Sequence, residues 1–364
     1  MAKQSISFFK QHQFWGGILM FNCHDDMTAF HDDEVKLPIE QRQTMRDRRN
    51  TNRKRLKDGL ARDEMPAPVG CHTQGSYAMR TMVQHVEKDY DIDDGVYFTR
   101  SSLTKPSGSD RTPAEAKEMV RAALHSERFT DPPVCQKNCV RVYYNEGYHV
   151  DVPVYRRFEK DGKWVYERAS TEWKVSDPVA VTKWFKTANK SKSPNTNNYG
   201  QFNRVVKLLK AFARSRESWR AKIASGFMIS VLVDEKYLGI DGRDDQALRD
   251  VMRAIHGRLA ASLVIDHPVL DETVTNGDSD SRAKFFQEKL QWALGELEVL
   301  DKWNCTEEEA RKAWDSVFSS SFFGLRASSK KSEETATRAS VLLAATAKSA
   351  EEQAFDKRGG GRFG

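Results

Sequence analysis

The feature that most constrains this chain is an acidic strand placed shortly after a glycine–serine turn. The turn is Gln74-Gly75-Ser76, and the strand begins at Asp91-Ile92-Asp93-Asp94. Side chains of an extended strand alternate between its faces, so Asp91 and Asp93 point the same way, about 7 Å apart. Proteins usually hold Mg²⁺ with one or two carboxylates together with substrate phosphates. The pattern therefore predicts a magnesium and nucleotide-phosphate site, in which the turn offers its N–H groups and hydroxyl to a triphosphate.

A third carboxylate strengthens this interpretation. Taken alone, the Asp91 and Asp93 pair also fits a solvated acidic turn, because Asp-Asp-Gly is common in turns. Asp151 lies in a second run with strand character, 148–155, which follows the run 140–144. These two runs predict a hairpin that turns at Asn145-Glu146-Gly147. A sheet that sets Asp151 beside the first acidic strand would bring three carboxylates to one site.

Length and charge limit the class of protein. The chain has 364 residues, which predicts two lobes or domains. Its 58 lysines and arginines against 52 acids give a net charge of +6, which suits polyanionic substrates without indicating a basic nucleic-acid arm. No apolar run reaches the roughly 18 residues of a membrane span, and the N-terminus does not resemble a signal peptide. Five cysteines without zinc-pair spacing predict free thiols in a reducing cytoplasm.

Helical patterns surround the predicted sheet. Residues 39–62 predict a long helix with a thin apolar stripe of Met45, Leu56 and Leu60. From Asp177 onward the pattern is helical, and residues 202–216 carry apolar side chains at helical spacing.

Lys210 and Ser225 are the two residues of this helical region considered for nucleotide contacts. On the helix 202–216, Lys207, Lys210 and Arg214 fall together on a basic face, which read alone is a solvated face. Ser225 precedes the next predicted helix at an N-cap position, where a phosphate could also be met. Read alone, Ser225 is simply a helix cap.

These motifs together resemble a known family. Gly75-Ser76, Asp91-Ile92-Asp93 and the run 149–153 resemble the nucleotidyltransferase superfamily related to DNA polymerase beta. The longer runs 73–77 and 91–95, together with 172–178 and Trp184-Phe185, are closer to one branch. They resemble the CD-NTases (cGAS/DncV-like nucleotidyltransferases), which are bacterial cyclic-oligonucleotide synthases of CBASS anti-phage systems. The resemblance covers roughly residues 40–325.

The resemblance implies an architecture. We expect an α+β protein with the two-lobed polymerase-beta-like nucleotidyltransferase fold, in which a mixed β-sheet lobe packs on a helical lobe. We expect an N-terminal segment and spanning helix at 1–62, and a catalytic core at 63–176. The helical lobe would be 177–327, followed by a linker and flexible tail at 328–364. Nucleotides would bind in the cleft between the lobes.

The resemblance also implies an activity and its residues. The protein would join ATP, GTP or other nucleoside triphosphates into a cyclic di- or trinucleotide, which acts on a downstream effector in the cytoplasm. Two Mg²⁺ ions, with Mn²⁺ as an alternative, would bind the catalytic aspartates Asp91, Asp93 and Asp151. Contacts to the donor nucleotide would come from Gln74, Gly75, Ser76, Lys210 and Ser225.

Two other functions remain open at this stage. One is a template-free nucleotidyltransferase with a linear product, and the other is a nucleotide-binding module without catalysis. No membrane contact is expected, because no apolar run is long enough to span one. No DNA ligand is expected either, because the chain has no evident zinc insertion like that of the DNA-sensing animal relative.

The last residues, 357–364, form a glycine-rich basic tail. Some bacterial synthases that resemble this chain end in a glycine that ubiquitin-like E1 and E2 enzymes conjugate to other proteins. The sequence therefore predicts Gly364 as a conjugation point.

Overall fold

The structure is a computed structural model, and it describes residues 12–15, 18–84, 90–127, 130–145 and 147–326. The chain divides into two compact units. The larger unit is Met27–Gly295, and the smaller unit joins residues up to Asp26 with residues from Glu296 onward. The predicted linker and tail at 328–364, including Gly364, lie outside the described residues.

Ten strands are present in the described ranges. A short antiparallel pair belongs to the smaller unit, and it consists of β1 (His12–Trp15) and β2 (Ile18–Phe21). The other eight form the sheet of the larger unit: β3 (Gly70–Gln74), β4 (Asp91–Thr99), β5 (Val134–Cys135), β6 (Val140–Tyr143), β7 (His149–Val152), β8 (Val154–Lys160), β9 (Lys163–Ala169) and β10 (Trp173–Val175).

Strand β4 is the centre of the sheet. It pairs antiparallel with β3 and parallel with both β7 and β8. Strands β7 and β8 keep one register against β4, since Asp93 faces Asp151 and Val96 faces Val154. They behave as one long strand interrupted at Pro153, which has no N–H to give to a ladder. Strands β6 and β9 then continue the sheet from β7 and β8, so the sheet is mixed.

Along the chain, helices alternate with strands up to β10, and only helices come after it. The α-helices are α1 (His24–Phe30), α2 (Ile39–Arg62), α3 (Gly75–Met79), α4 (Pro113–Leu124), α5 (Pro178–Lys192), α6 (Gln201–Arg214), α7 (Glu217–Arg220), α8 (Gly226–Lys236), α9 (Asp244–Ala261), α10 (Ser281–Glu296) and α11 (Glu307–Phe318). The predicted helix at 39–62 is therefore confirmed as α2, and the α+β class is confirmed as well.

Helix α2 packs on the sheet through the thin apolar stripe that the sequence predicts. Met45, Leu56 and Leu60 are all buried, although most of the helix is polar. Leu56 and Leu60 join a core of sheet valines and residues of α4. Gly59 allows this approach, because a Cβ there would lie 2.0 Å from the carbonyl oxygen of Ala123 on α4. Burial of this stripe thus fixes α2 on the back of the sheet.

Two hairpins are present as antiparallel pairs, and the first of them is the predicted one. Strands β6 and β7 pair from Val140–Val152 to Tyr143–His149, which is the hairpin predicted around residues 145–147. Strands β8 and β9 pair on either side of Asp161-Gly162, which both have positive φ as a tight turn requires. The hairpins bring β7 and β8 back to β4, and this return positions Asp151.

In the smaller unit, α11 and the turn Leu297–Asp301 form a helical layer. Thr306 and Glu309 form a capping box at the start of α11, which satisfies N–H groups at that end. Buried Arg311 on α11 pairs with the carboxylate of Asp26 at 2.7 Å. None of the helices in the described ranges combines the length and apolar character needed to cross a bilayer.

Candidate active site

The register of the sheet brings the predicted aspartates together. Asp93 on β4 lies directly opposite Asp151 on β7, and Asp91 lies opposite His149. Carboxylate oxygens of Asp91 and Asp151 and a ring nitrogen of His149 all lie within 4.8 Å of one another. Because side chains two residues apart share a strand face, the same face also carries Asp93. Three carboxylates separated by up to 60 residues therefore meet on one face of the sheet.

Gly75 closes this group from the side of the turn. It has a φ of +64°, and a Cβ there would lie 2.1 Å from Oδ2 of Asp93. Both the backbone conformation and the contact therefore require glycine. Helix α3 begins at Gly75, so the N–H groups of its first turn lie beside the acidic group.

The fourth acid of the run has a different surrounding. Asp94 is buried and accepts hydrogen bonds from Nε of Arg53 at 2.7 Å and from the hydroxyl of Thr73 at 3.0 Å. Since Arg53 belongs to α2, this pair links the spanning helix to the sheet. Asp94 is thus a structural residue, and the site uses the other face of the strand.

The electrostatics of the acidic group are unbalanced. Burial, followed by the charges of Asp91 and Asp151, raises the pKa of Asp93 above its usual value. Arg141 offsets part of this charge, because its guanidinium donates two hydrogen bonds to Asp151, at 2.7 and 2.8 Å. Arg141 and Arg168 both lower the pKa of Asp93, but burial and the neighbouring carboxylates outweigh them.

This donor set fits a divalent cation of the Mg²⁺ type. Hard cations prefer oxygen ligands, and three carboxylates supply them. A bound cation would also relieve the repulsion that raises the pKa of Asp93. The ring nitrogen of His149 is a borderline ligand that suits Mn²⁺ better than Mg²⁺.

A cavity of about 410 Å³ opens in front of the acidic group. Residues from the sheet, the turn and the helices line it, so it lies where the sheet meets the helices. The predicted site residues among its lining are Gln74, Gly75, Ser76, Asp91, Asp93 and Lys210.

Lys210 reaches the cavity from α6. It is buried, contrary to the solvated face that the sequence alone indicated, and its ammonium donates to the hydroxyl of Thr81 at 2.8 Å. Burial, assisted by the charges of Arg214 and Lys207, lowers the pKa of Lys210 to about 7. No carboxylate pairs with Lys210 among the described residues, so its charge is available to an anion in the cavity.

Ser225 caps α8 rather than lining the cavity. Its hydroxyl accepts a hydrogen bond from the N–H of Met228 at 3.2 Å. The next residue, Gly226, lines the cavity and lies against the Lys210 side chain, where a Cβ would be 3.2 Å from its Cε. The cap thus sets the start of α8 beside the lysine.

Gln74 makes contacts with buried tyrosines. Its amide nitrogen donates to the Tyr155 hydroxyl at 2.9 Å, and its amide oxygen lies 3.4 Å from the Tyr97 hydroxyl. The side chain therefore forms part of the cavity wall between β3 and β8.

The sequence analysis did not single out several residues of the site. His149 lies two residues before Asp151, and the alternation of strand faces would have found it. The sequence did not predict the role of Arg141, because its ion pair with Asp151 depends on the β6–β7 register. Thr81 is apparent only once α6 is packed against the turn after α3. Two arginines also line the cavity: Arg168 on β9, which no motif marks, and Arg214, which the sequence places on the basic face of α6 without indicating a role.

Comparison with known proteins agrees with this geometry. Residues 69–155 match the family described as "Cyclic GMP-AMP synthase DncV-like, nucleotidyltransferase domain". This span runs from β3 to β8 and includes all three aspartates and the Gly75-Ser76 turn.

Solved structures resemble most of the chain. The DncV cyclic AMP-GMP synthase of Vibrio cholerae, a prokaryotic cGAS homolog, has a TM-score of 0.64 at 16% identity, covering 82% of this chain and 96% of that one. The CD-NTase CdnG of Bradyrhizobium diazoefficiens, solved with GTP, has a TM-score of 0.65 at 16% identity, covering 85% and 98%.

The family match thus identifies a nucleotidyltransferase domain at residues 69–155, and the solved structures share the fold of most of the chain. The predicted family is confirmed over residues 69–155, which carry the DncV-like nucleotidyltransferase domain.

Proposed function

We propose that the protein is a cyclic-oligonucleotide synthase, which makes a cyclic di- or trinucleotide from ATP, GTP or other nucleoside triphosphates. The observation that carries this proposal is the meeting of Asp91, Asp93 and Asp151 across β4 and β7, opposite the buried ammonium of Lys210. Acid on the sheet side and cation on the helix side suit a cation-bound triphosphate between them.

The chain's own groups hold and orient the donor nucleotide. The N–H groups at the start of α3 and the Ser76 hydroxyl bind phosphate oxygens, because a helix N-terminus favours anions. The Lys210 ammonium binds the same triphosphate as a point charge, and Gly226 leaves room for it. Ser225 contributes indirectly, because it caps α8 and so positions the start of that helix beside Lys210. Gln74 is held by Tyr155 and Tyr97, so it shapes the wall rather than binding phosphate.

Asp91, Asp93 and Asp151 would hold two Mg²⁺ ions, or Mn²⁺ in their place. When bound, such cations acidify the attacking ribose hydroxyl and neutralise the leaving pyrophosphate. Arg141 then has a positioning role, because it fixes the Asp151 carboxylate through two hydrogen bonds. A second or third transfer with the same residues closes the ring.

The test is the nature of the product. Purified protein is incubated with the four radiolabelled nucleoside triphosphates and Mg²⁺, and then with phosphatase. A phosphatase-resistant product supports the proposal, since a cyclic nucleotide has no terminal phosphate. A sensitive ladder would indicate a linear product, and no product under any metal would favour a nucleotide-binding module.

The biological setting extends this proposal. CdnG and DncV are bacterial proteins. By analogy with the CD-NTases, the cyclic product would act in the cytoplasm on an effector protein during anti-phage defence. Conjugation of Gly364 by ubiquitin-like E1 and E2 enzymes remains a prediction from the sequence. Intact-mass analysis of the protein from its host, with and without Gly364, would test it.

A further inference from the structure

A second cavity, of about 290 Å³, lies at the end of helix α3, whose first residue, Gly75, contacts Asp93. Its lining comes from the end of α3, from the second half of α5, and from the segment 195–203 that leads into α6. The lining residues that carry the argument are Met79, Arg80, Lys186, Lys190 and Tyr199.

The charge of this cavity is one-sided. Arg80, Lys186 and Lys190 line it with exposed side chains, and no acid is among its lining residues. None of these three cations has a carboxylate partner among the described residues. Asp241 lies behind the wall, where it accepts a hydrogen bond from the lining residue Asn195 at 2.7 Å. Three cations without a carboxylate partner around one concave surface favour an anion.

The backbone around the cavity is held in an uncommon conformation. Arg80 and Tyr199 have φ values of +59° and +73°, although neither is glycine, and Asn198 and Gly200 on either side of Tyr199 also have positive φ. Left-handed backbone at an arginine and a tyrosine is rare and costs free energy. These two residues meet, with the Arg80 guanidinium 4.3 Å from the centre of the Tyr199 ring. The strained backbone thus directs a cation and an aromatic ring to the rim of one cavity.

The second cavity is coupled to the first through α3. Met79 lines both cavities, and its carbonyl oxygen accepts a hydrogen bond from the amide of buried Asn203 at 3.1 Å. Two residues later, Thr81 accepts the hydrogen bond from Lys210. Because α3 has only five residues, Gly75–Met79, a ligand that moves Arg80 would also move Ser76 and Thr81.

We propose that this second cavity is a regulatory site for a small phosphate-bearing anion, which binds through Arg80, Lys186 and Lys190. The site is separate from the nucleotidyl-transfer site, and the proposal rests on the proposed function only for its consequence, which is a change in synthesis rate. Phosphate oxygens accept hydrogen bonds from both guanidinium and ammonium groups, so this ligand class matches the three cations.

The probe is inorganic pyrophosphate, used with a chelator so that no divalent cation is present, and the readout is amide hydrogen exchange of the full chain. Because pyrophosphate also fits the transfer site, the titration is repeated with Lys210→Met. We expect protection of residues 186–200 in both the wild type and Lys210→Met.

The charge-reversed variant Arg80→Glu with Lys190→Glu should lose that protection, with at least a tenfold weaker apparent affinity. The control Lys183→Glu with Lys222→Glu makes the same change in net charge at exposed residues outside the second cavity, and it should keep the protection. All four substitutions are at exposed side chains, so the fold is retained.

The outcomes separate the two proposals. If residues 186–200 show no protection in the wild type, the proposed regulatory site is rejected. It is also rejected if the protection persists in the Arg80→Glu, Lys190→Glu variant. A wild-type protein that binds pyrophosphate at 186–200 but makes no nucleotide product would leave this site standing while rejecting the proposed function.

Discussion

The sheet and the helices contribute opposite charges to one cavity, and they hold those charges in different ways. Asp91, Asp93 and Asp151 are set by backbone register, so their spacing follows from hydrogen bonds of the sheet. Lys210 is set by burial on α6, where residues 201–210 are all buried. Because sheet hydrogen bonds set the acidic half, its geometry is fixed before a ligand binds. The cationic half is held by a balance between burial and charge, which a ligand can shift.

The largest effect should come from removing the register-fixed charges. In Asp91→Asn with Asp93→Asn, we expect product formation to fall at least about 10³-fold, a loss of about 4 kcal/mol of transition-state stabilisation. The midpoint of thermal unfolding should not fall, because the change removes repulsion and no core side chain. Asp161→Asn, in the β8–β9 turn, is the control and should keep wild-type turnover. Retained synthesis in the double variant would reject the metal assignment.

The geometry of the acidic half is tested next by Gly75→Ala. The added methyl group meets the Asp93 carboxylate and also needs a left-handed backbone. We expect kcat to fall about 10²-fold, or about 2.7 kcal/mol. Gly108→Ala is the matched control, since its φ is +84° with nothing within 4 Å of the added Cβ. Equal losses in the two variants would mean that backbone strain alone, and not Asp93, explains the effect.

The cationic half is tested by comparing two neighbouring lysines. Lys210→Met should lower kcat/KM for the donor nucleotide by about 10- to 150-fold, which corresponds to the 1.5–3 kcal/mol of a charge-assisted contact. Lys207→Met is the control one turn earlier, because Lys207 lies 3.3 Å from His31 and does not line the cavity. If both variants kept the wild-type kcat/KM, Lys210 would have no role in binding the triphosphate.

The smallest effect concerns stability and pH. Burial lowers the pKa of Lys210 to about 7, below the 10.5 of an unfolded lysine. Between these values the unfolded chain binds a proton that the folded chain does not, so this group makes stability rise with pH. The gap in unfolding free energy between the wild type and Lys210→Met should therefore shift in favour of the wild type from pH 7 to 9, by at most about 1.4 kcal/mol per pH unit. A gap independent of pH, from chemical denaturation at each pH, would show that Lys210 is not titrating in this window.

The acidic half of the site could be predicted from the sequence. The alternation of side chains between the faces of a strand depends only on neighbouring residues, and the turn residues at 145–147 predict the hairpin at 140–155. The pairing of Asp151 with Asp93 needed only that the hairpin return to β4. The cationic half was harder to read. Helical periodicity gives the angle of Lys207 and Lys210 around α6, but it does not tell which sides of the helix are covered.

Burial of α6 on every side over residues 201–210 reflects packing on α8, α9 and the turn after α3, and those contacts are long-range. For the same reason the second cavity had no sequence signal. Its cations come from two separate segments, Arg80 after α3 and Lys186 with Lys190 on α5, and the left-handed backbone of Arg80 and Tyr199 has no glycine to mark it.

The central claim is that this acidic and cationic cavity joins nucleoside triphosphates into a ring. The most direct measurement is the mass of the phosphatase-resistant product made by the wild-type protein from ATP and GTP with Mg²⁺. We predict a product lighter by one water than the corresponding linear nucleotide with a single terminal phosphate, and no such product from the Asp91→Asn, Asp93→Asn variant. A wild-type protein that yields only phosphatase-sensitive linear products, across all four nucleoside triphosphates and with Mn²⁺ as well, would contradict it.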